Sequence, residues 1–533
     1  MGFGSSLRAE PLAFEPKSAF GECTEHWRKL GFSSSAGEGK NSLYQLGGKE
    51  KYPAFYERLQ RGRCFKEWMI VVYMAADNDL SPFSYRDLWE MEAVGSTVSV
   101  DVLVFHDSAS NDKMRYLHIA RNPKHSDYEE ALQKFVAKEG LKEQEEKAQE
   151  IAFLEARGET LTQSPVIHEL PEGDSGNVKT FSDFLEFAIT RYPSRRLMVV
   201  GWSHGQGFDA RTNSQEVSQE VSQEVSQEVG RGWKVQTNGD SAKQGGFAFD
   251  TYPKKTHMAV TEMAVSVEKL LKKHRASVPL DIFGSDACLN QQIEFGYEWL
   301  GLSQYVFGSS TIVQKKGFNY RSLFRWFEDH PYHETDRLAA QIPLLYGGSV
   351  GAGAGKKYSS YYDPYATMAT WTMSELIYLR RALDDVATYL HQWLTDTDDE
   401  LQQIKNLNSM RKVIENSLRL GSVSQDLFNF LQNLETWVSD QKLAEAAGPW
   451  NELLTEINNC RQTLTRAVLS KYIGKKYVSG LLKTSQGVAV WLPNSKTEAA
   501  EMYPKFAKSR FYQSESEKLG PSAWAKFVRL LYP

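Results

Sequence analysis

The run Trp68-Met69-Ile70-Val71-Val72-Tyr73-Met74-Ala75 decides the fold class, because it is apolar without a break. Apolar residues on both faces are typical of a strand in a parallel sheet that is covered on both sides. A turn-like Asp77-Asn78-Asp79 follows, then a segment with helical spacing at 88–94, then a second buried run at 98–105. The order strand, helix, strand predicts an α/β sheet.

The same pattern continues along the chain. It predicts further strands at 196–202, 280–284 and 305–310, an edge strand at 115–120, and helices at 181–192 and 260–274. Two segments interrupt it: a charged helical insertion at 126–159, and a low-complexity loop at 208–246 with four copies of Ser-Gln-Glu-Val. From residue 370 the pattern is mainly helical, with a strand at 487–492 and a terminal helix. We therefore divide the chain into an N-terminal extension (1–66), an α/β domain (67–369) and a smaller, mainly helical region (370–533).

The composition excludes several classes of protein. Lys and Arg number 62 against 67 Asp and Glu, so the formal charge is −5, and a basic nucleic-acid-binding protein is not expected. The mean hydropathy is −0.48 and no stretch reaches the roughly 20 apolar residues of a membrane span. The first 16 residues show no signal peptide. The four cysteines, Cys23, Cys64, Cys288 and Cys460, form no C-x-x-C motif, so neither a zinc knuckle nor a disulfide scaffold is expected.

Two residues capable of catalysis follow predicted strands. His204 lies after the strand at 196–202 and Cys288 after the strand at 280–284. Ligand crevices in α/β sheets lie at the carboxyl ends of strands, so the two side chains are candidates for a thiol–imidazole pair. We expect a helix after Cys288, whose positive end would lower the pKa of the thiol and offer N–H donors to an oxyanion. A packed, unreactive cysteine is the alternative.

Other interpretations of these motifs stay open. Gly201-Trp202-Ser203-His204-Gly205 fits the G-x-S-x-G elbow of serine hydrolases, although the polar residues after it do not predict the required helix. Asp77-Asn78-Asp79 and the segment 396–399 offer oxygen ligands, but lack the remainder of an EF-hand loop. Turns and helix caps explain both better, and no metal site is predicted from them.

Several motifs together resemble the clostripain family of cysteine peptidases. These are the strand and turn at 71–80, the His204-Gly205 pair after a hydrophobic strand, and Asp286-Ala287-Cys288-Leu289. Segments at 173–177, 371–376 and 487–493 agree, so the resemblance covers roughly 68–533. It implies a caspase-like α/β/α sandwich with a mostly parallel central sheet.

The resemblance also implies roles for individual residues. His204 would be the general acid/base, Cys288 the nucleophile, and the N–H groups of Gly205 and Cys288 the oxyanion hole. Asp286, two residues before the nucleophile, would bind a basic P1 side chain, because a buried carboxylate favours a guanidinium or ammonium group. The alternative for Asp286 is a cap on the following helix.

The implied activity is an endopeptidase cleaving after Arg, and possibly Lys, that processes itself between His204 and Cys288. The candidate cleavage sites are Arg231, Arg211, Lys234 and Lys243, with Arg231 favoured because glycines flank it. The family suggests calcium as a possible cofactor and a secreted or periplasmic location. We expect peptide or protein substrates and a monomer, possibly of two chains after self-cleavage. A serine hydrolase using Ser203, or a non-catalytic binding module, are the alternative functions.

Overall fold

The strands and helices alternate as the sequence predicts over most of the chain. The computed structural model describes residues 66–97, 99–124, 130–132, 134–135, 143–192, 194–208, 246–251, 256–313, 317–347, 367–420, 424–444, 449–474, 484–513 and 521–533. The strands are β1 (Lys66–Ala76), β2 (Val100–Ser108), β3 (Lys113–His118), β4 (Val166–Pro171), β5 (Ser194–Trp202), β6 (Phe247–Asp250), β7 (Thr256–Met258), β8 (Leu280–Asp286), β9 (Ser303–Gly308), β10 (Thr367–Thr372), β11 (Arg419–Leu420), β12 (Ser424–Asp426), β13 (Val468–Ile473) and β14 (Ala489–Trp491). The helices are α1 (Ser81–Glu92), α2 (Glu143–Leu161), α3 (Val178–Arg191), α4 (Val260–His274), α5 (Ile293–Tyr297), α6 (Tyr320–Asp329), α7 (Thr335–Tyr346), α8 (Met373–Thr395), α9 (Glu400–Glu415), α10 (Leu427–Ala444), α11 (Trp450–Ala467), α12 (Lys496–Phe506) and α13 (Ala523–Leu531).

A central sheet carries the architecture. Within the described residues it has nine strands in the order β13-β10-β9-β8-β5-β1-β2-β3-β4. Its middle strands β9, β8, β5, β1 and β2 pair in parallel, and the strands on either side pair antiparallel. Parallel pairing brings the carboxyl ends of the middle strands to one edge of the sheet.

Alternate residues of β1 face opposite layers of helices. Met69, Val71, Tyr73 and Ala75 belong to one apolar core with residues of α3, α4 and α8, and Trp68, Ile70, Val72 and Met74 belong to a second core with residues of α1, α6 and α7. Burying each such large side chain is worth about 1.5–3 kcal/mol, which explains why the uninterrupted apolar run specifies a strand covered on both faces. The predicted α/β/α sandwich with a mostly parallel sheet is confirmed.

Two strands differ from the sequence prediction. The strand expected at the edge, β3, pairs with both β2 and β4, and β4 is the edge strand. Residues 468–473 form β13, a strand that the mainly helical pattern after residue 370 does not predict, and pair antiparallel with β10. The boundary placed at residue 370 therefore falls inside β10, and the core formed with one face of the sheet also includes residues of α8, α10, α11 and α13. The division into regions stays a prediction.

Candidate active site

His204 and Cys288 lie at the same edge of the sheet. Strands β5 and β8 are parallel neighbours, and their last paired residues are Trp202 and Asp286. His204 and Cys288 each come two residues after that pair. Because neighbouring strands are about 4.8 Å apart, the imidazole and the thiol are held on adjacent chain segments.

Gly205 packs directly on the backbone of the cysteine. A Cβ atom at this position would lie 2.5 Å from the carbonyl oxygen of Cys288 and 2.9 Å from Cβ of Ala287. No residue larger than glycine fits there without movement of the backbone. This packing explains why glycine occupies position 205, and the role of its N–H as an oxyanion donor stays a prediction.

The imidazole has a carboxylate partner that sequence reasoning missed. Nε2 of His204 lies 2.5 Å from Oδ1 of Asp79. Asp79 lies in the turn after β1, and β1 is the neighbour of β5 in the sheet. A carboxylate on one ring nitrogen fixes the orientation of the ring.

The surroundings of Cys288 contradict one expectation. Burial raises the pKa of its thiol to about 11, and the negative charge of Asp286 adds to this effect, against the opposing hydrogen bond from Val313. The sulfur accepts the N–H of Val313 at 3.3 Å and lies 3.8 Å from the Val313 carbonyl oxygen. The predicted lowering of the thiol pKa is wrong for this conformation.

The position of the helix after Cys288 explains why the thiol pKa is not lowered. Helix α5 begins only at Ile293 and has five residues, so it does not place a long helix dipole on the sulfur. Between them Leu289 has a φ of 62°, a left-handed conformation that is unfavourable for a branched side chain. The chain thus turns sharply after the cysteine, and the expected helix begins five residues after it and is short.

Asp286 is the last residue of β8 and is almost fully buried, at 4% exposure. Its Oδ2 accepts hydrogen bonds from the N–H of Phe318 at 3.2 Å and the hydroxyl of Tyr320 at 3.0 Å. Burial raises the pKa of this carboxyl to about 7, while these two bonds lower it. A helix cap, the alternative for Asp286, does not describe these contacts.

Ser203 has a structural position. Its hydroxyl donates to the carbonyl oxygen of Ala75 at 2.8 Å, and the residue is 3% exposed. The imidazole of His204 pairs with Asp79 instead. The serine-hydrolase alternative is therefore not supported.

The acidic turn after β1 has the predicted turn geometry. The Asn78 side chain accepts the N–H of Leu80 at 2.9 Å and donates to the carbonyl oxygens of Ala75 and Phe249. Asp399, in the other candidate segment, caps α9 by accepting the N–H of Leu401. Among the described residues no group of three or more His, Cys, Asp or Glu side chains could hold a metal ion. The calcium dependence suggested by the resemblance stays a prediction, and no step below uses it.

The candidate cleavage sites Arg211, Arg231, Lys234 and Lys243 lie outside the described residues. The two flanks of this interval are described and are joined to each other. Gly205 forms an antiparallel bridge with Phe247, the N–H of Gln206 donates to Gly246 at 3.0 Å, and the N–H of Gly246 donates to Gly207 at 3.0 Å.

Solved structures share this fold. A secreted C11 cysteine protease of Bacteroides thetaiotaomicron, iotapain, superposes with a TM-score of 0.51 at 14% identity, covering 84% of this chain and 98% of that one. An inactive zymogen C11 protease of Parabacteroides distasonis gives a TM-score of 0.50 at 14% identity, covering 84% and 97%. At these identities the likeness concerns the fold. A comparison with curated proteins gives no match.

The sequence itself matches the model of one protein family. The peptidase C11 or clostripain model matches residues 72–229 and 225–524, which include the carboxyl end of β1, both strand ends that carry His204 and Cys288, and helices α8 to α12. This match covers well over half of the chain. The chain therefore belongs to the clostripain family of cysteine peptidases.

Proposed function

We propose that the chain is an endopeptidase that cleaves after Arg, and also after Lys, with Cys288 as nucleophile, His204 as general acid/base and Asp286 in the P1 pocket. The observation that carries the proposal is the register of β5 on β8, which pairs Trp202 with Asp286 and so sets His204 beside Cys288. A buried carboxylate two residues before the nucleophile supplies the charge for a basic side chain.

The chemistry follows from these positions. His204 accepts the proton of the Cys288 thiol as the sulfur attacks the P1 carbonyl carbon, and the N–H groups of Gly205 and Cys288 stabilise the oxyanion. His204 then gives the proton to the leaving amine, and a thioester remains on Cys288. Water hydrolyses the thioester with His204 as base, which restores the thiol and releases the acid product.

The raised pKa of the Cys288 thiol determines its protonation state before substrate binds. At neutral pH a thiol with a pKa of about 11 is protonated, so attack requires transfer of its proton to His204. Contacts of the sulfur with the Val313 backbone hold it in this form. We propose that this is the conformation of the uncleaved chain.

Self-processing is part of the proposal. The interval between His204 and Cys288 contains Arg211, Arg231, Lys234 and Lys243, and its flanks lie at the catalytic edge. Wild-type protein and the Cys288→Ala variant should be incubated in parallel and measured by intact mass spectrometry. We expect two fragments, with a new C-terminus at one of these four residues, in the wild type alone. A wild type that stays uncut, or a variant that is cut equally, contradicts self-processing.

Peptide cleavage tests the activity directly. Fluorogenic peptides that differ only in P1, with Arg, Lys, citrulline or Asp, should be offered with and without iodoacetamide. We expect cleavage after Arg and Lys that iodoacetamide abolishes, and loss of activity in Cys288→Ala. Cys460→Ala is the matched control, since Cys460 is buried in α11 far along the chain and should keep activity. A protein that folds but cleaves none of these peptides would instead support a binding module.

Export is the last part of the proposal. Iotapain is described as secreted, and we propose that this chain is exported too. Among the described residues no helix is both long enough and apolar enough to cross a bilayer. Fractionation of producing cells with an antibody tests this, and retention of all protein in the cytoplasm would contradict export.

A further inference from the structure

A second buried carboxylate lies beside Asp286. Asp87, on α1, is 0% exposed, and the Nε1–H of Trp202 donates to its Oδ2 at 2.6 Å. The position that a Cβ atom would take at Gly317 is 3.2 Å from Oδ2 of Asp87 and 3.0 Å from Oδ2 of Asp286. The two acids therefore border one small space, which glycine leaves open.

Each of these acids has one oxygen without a partner. Oδ1 of Asp87 and Oδ1 of Asp286 are buried and accept no hydrogen bond from the described chain. No Lys or Arg of that part of the chain forms a salt bridge with either one. Two buried, adjacent carboxylates with unused acceptors are unfavourable unless a proton or a cation is shared between them. Burial raises the pKa of Asp87 well above its usual value, and the negative charges of Glu90 and then of Asp286 add to this effect.

The neighbouring acid Glu90 shows the usual solution to burial. Its Oε2 accepts the N–H of Tyr320 at 3.0 Å, and its Oε1 lies 3.7 Å from Nε of Arg86. Glu90 thus has a nearby cation and a backbone donor, whereas within the described residues Asp87 accepts one hydrogen bond and forms no salt bridge, and the charge of Arg86 acts on it only from a longer distance. Asp87 therefore retains an acceptor for a cation from outside the chain.

We propose that Asp87 is a second specificity-determining carboxylate of the P1 pocket, which binds the guanidinium of a P1 Arg together with Asp286. This inference rests on the proposed function and adds a residue to it. A planar guanidinium carries five N–H donors in a fixed fork and can meet two carboxylates at once, whereas the ammonium of Lys is a compact point charge. The pair therefore favours Arg over Lys.

The test compares Asp87→Asn with wild type on matched peptides with Arg, Lys or citrulline at P1. Citrulline keeps the shape of Arg without its charge. We expect kcat/KM for the Arg peptide to fall by at least about 10-fold, with the citrulline peptide changed by less than about 2-fold and the Arg-over-Lys preference reduced. Asn keeps an acceptor for Trp202 and removes a buried charge, so the variant should fold.

Asp281→Asn is the matched control. Asp281 is a buried acid on the same strand, β8, at its opposite end, and its substitution should leave the Arg-to-citrulline ratio unchanged. Asp87→Leu, which keeps the shape and removes both charge and acceptor, is the second variant should Asn not fold. If a folded Asp87 variant leaves the Arg-to-citrulline ratio of kcat/KM unchanged, or loses activity equally on both peptides, the inference about Asp87 is wrong while the proposed function still stands. A wild type that does not cleave after Arg would overturn the proposed function, and it would be seen before any variant is made.

Discussion

Buried acids at the two ends of the central sheet differ in their hydrogen-bond partners. At the amino end of β8, Asp281 accepts the N–H of Leu197 at 2.9 Å, and Oδ1 lies 3.5 Å from Nε2 of Gln304. At the carboxyl end of the same strand, Asp286 leaves one oxygen unpartnered. One strand thus has a satisfied acid at one end and an unsatisfied acid at the other.

Neighbouring strands repeat the contrast. At the amino ends of β1 and β2, Asp101 lies between Lys66 at 2.6 Å and His118 at 2.9 Å. At the carboxyl end of β2, burial raises the pKa of Asp107 to about 8. In these two strands the amino edge holds an ion-paired acid with a lowered pKa, while the carboxyl edge holds an acid whose pKa burial raises, a property that is common at ligand sites. Four substitutions test this comparison.

The largest effect is expected at the carboxyl edge. His204→Ala should lower kcat/KM for the Arg peptide by about 1000-fold, because the general acid/base is lost. The matched control is His274→Ala, which removes a histidine that is also paired with a carboxylate, Glu186 at 2.7 Å. That variant should keep at least half of the activity. If both variants lose kcat/KM equally, the loss in His204→Ala does not show that His204 has a special role in catalysis.

The next effect is expected at the amino edge and concerns stability. Burial alone would raise the pKa of Asp101, but Lys66 and His118 outweigh it and lower the pKa to about 2. A depressed pKa gives stability that is present above the unfolded pKa of about 3.9 and is lost as the pH falls toward 2. Asp101→Asn should therefore lower the free energy of unfolding by about 2 kcal/mol at pH 7, measured by urea denaturation.

That destabilisation should shrink as the pH falls from 5 to 3, while kcat/KM at 25 °C stays near the wild-type value. A pH-independent loss of stability would mean that Asp101 acts through packing. If folded Asp101→Asn protein loses catalytic activity, the amino edge affects catalysis as well as stability, and the contrast between the two edges is wrong.

A smaller effect on activity is expected for the partner of the imidazole. Asp79→Asn should lower kcat/KM by about 10-fold, because the carboxylate orients His204 without touching the substrate. In the His204→Ala background the same substitution should have no further effect, since a positioning residue acts only through the group that it positions. Additive losses in the double variant would assign Asp79 a separate role.

The smallest effect should have the opposite sign. Asp107 has a pKa raised to about 8, first by burial and then by the charges of Glu172 and Asp77. The folded protein thus holds a proton that the unfolded chain releases near pH 4, so stability falls as the pH rises from about 4 to 8. Asp107→Asn should raise the thermal midpoint by about 2 °C at pH 8.5 and change it little at pH 5. A lower midpoint at pH 8.5 would show that the carboxylate has a stabilising partner.

The sequence predicted that His204 and Cys288 share one edge of the sheet, because uninterrupted hydrophobic runs indicate buried parallel strands and both residues follow such runs. Asp79 was visible only as part of a turn. Its contact with His204 depends on β1 lying next to β5, and that order is set by long-range pairing. Three polar residues directly after β1 were the available signal.

The sequence did not predict the burial of Asp87 or the raised pKa of Cys288, for different reasons. Asp87 lies on a helix, where an acidic residue is ordinarily exposed, and its burial depends on contact with Trp202 from another strand. The predicted direction of the pKa shift of the Cys288 thiol was wrong, because desolvation of the thiol outweighs the effect of a distant, five-residue helix. Strand β13 was missed because its residues directly continue α11, and local sequence does not reveal its pairing with β10.

The hydrogen bonds that join Gln206 to Gly246 have a practical consequence. Because these bonds hold the two flanks of the repeats together, we expect that the number of repeats can change with only a slow increase in loop-closure entropy. A protease nick there should leave both pieces associated under native conditions, so that they separate only in denaturant. The interval is accordingly a suitable place to insert a reporter domain or an affinity tag in this enzyme.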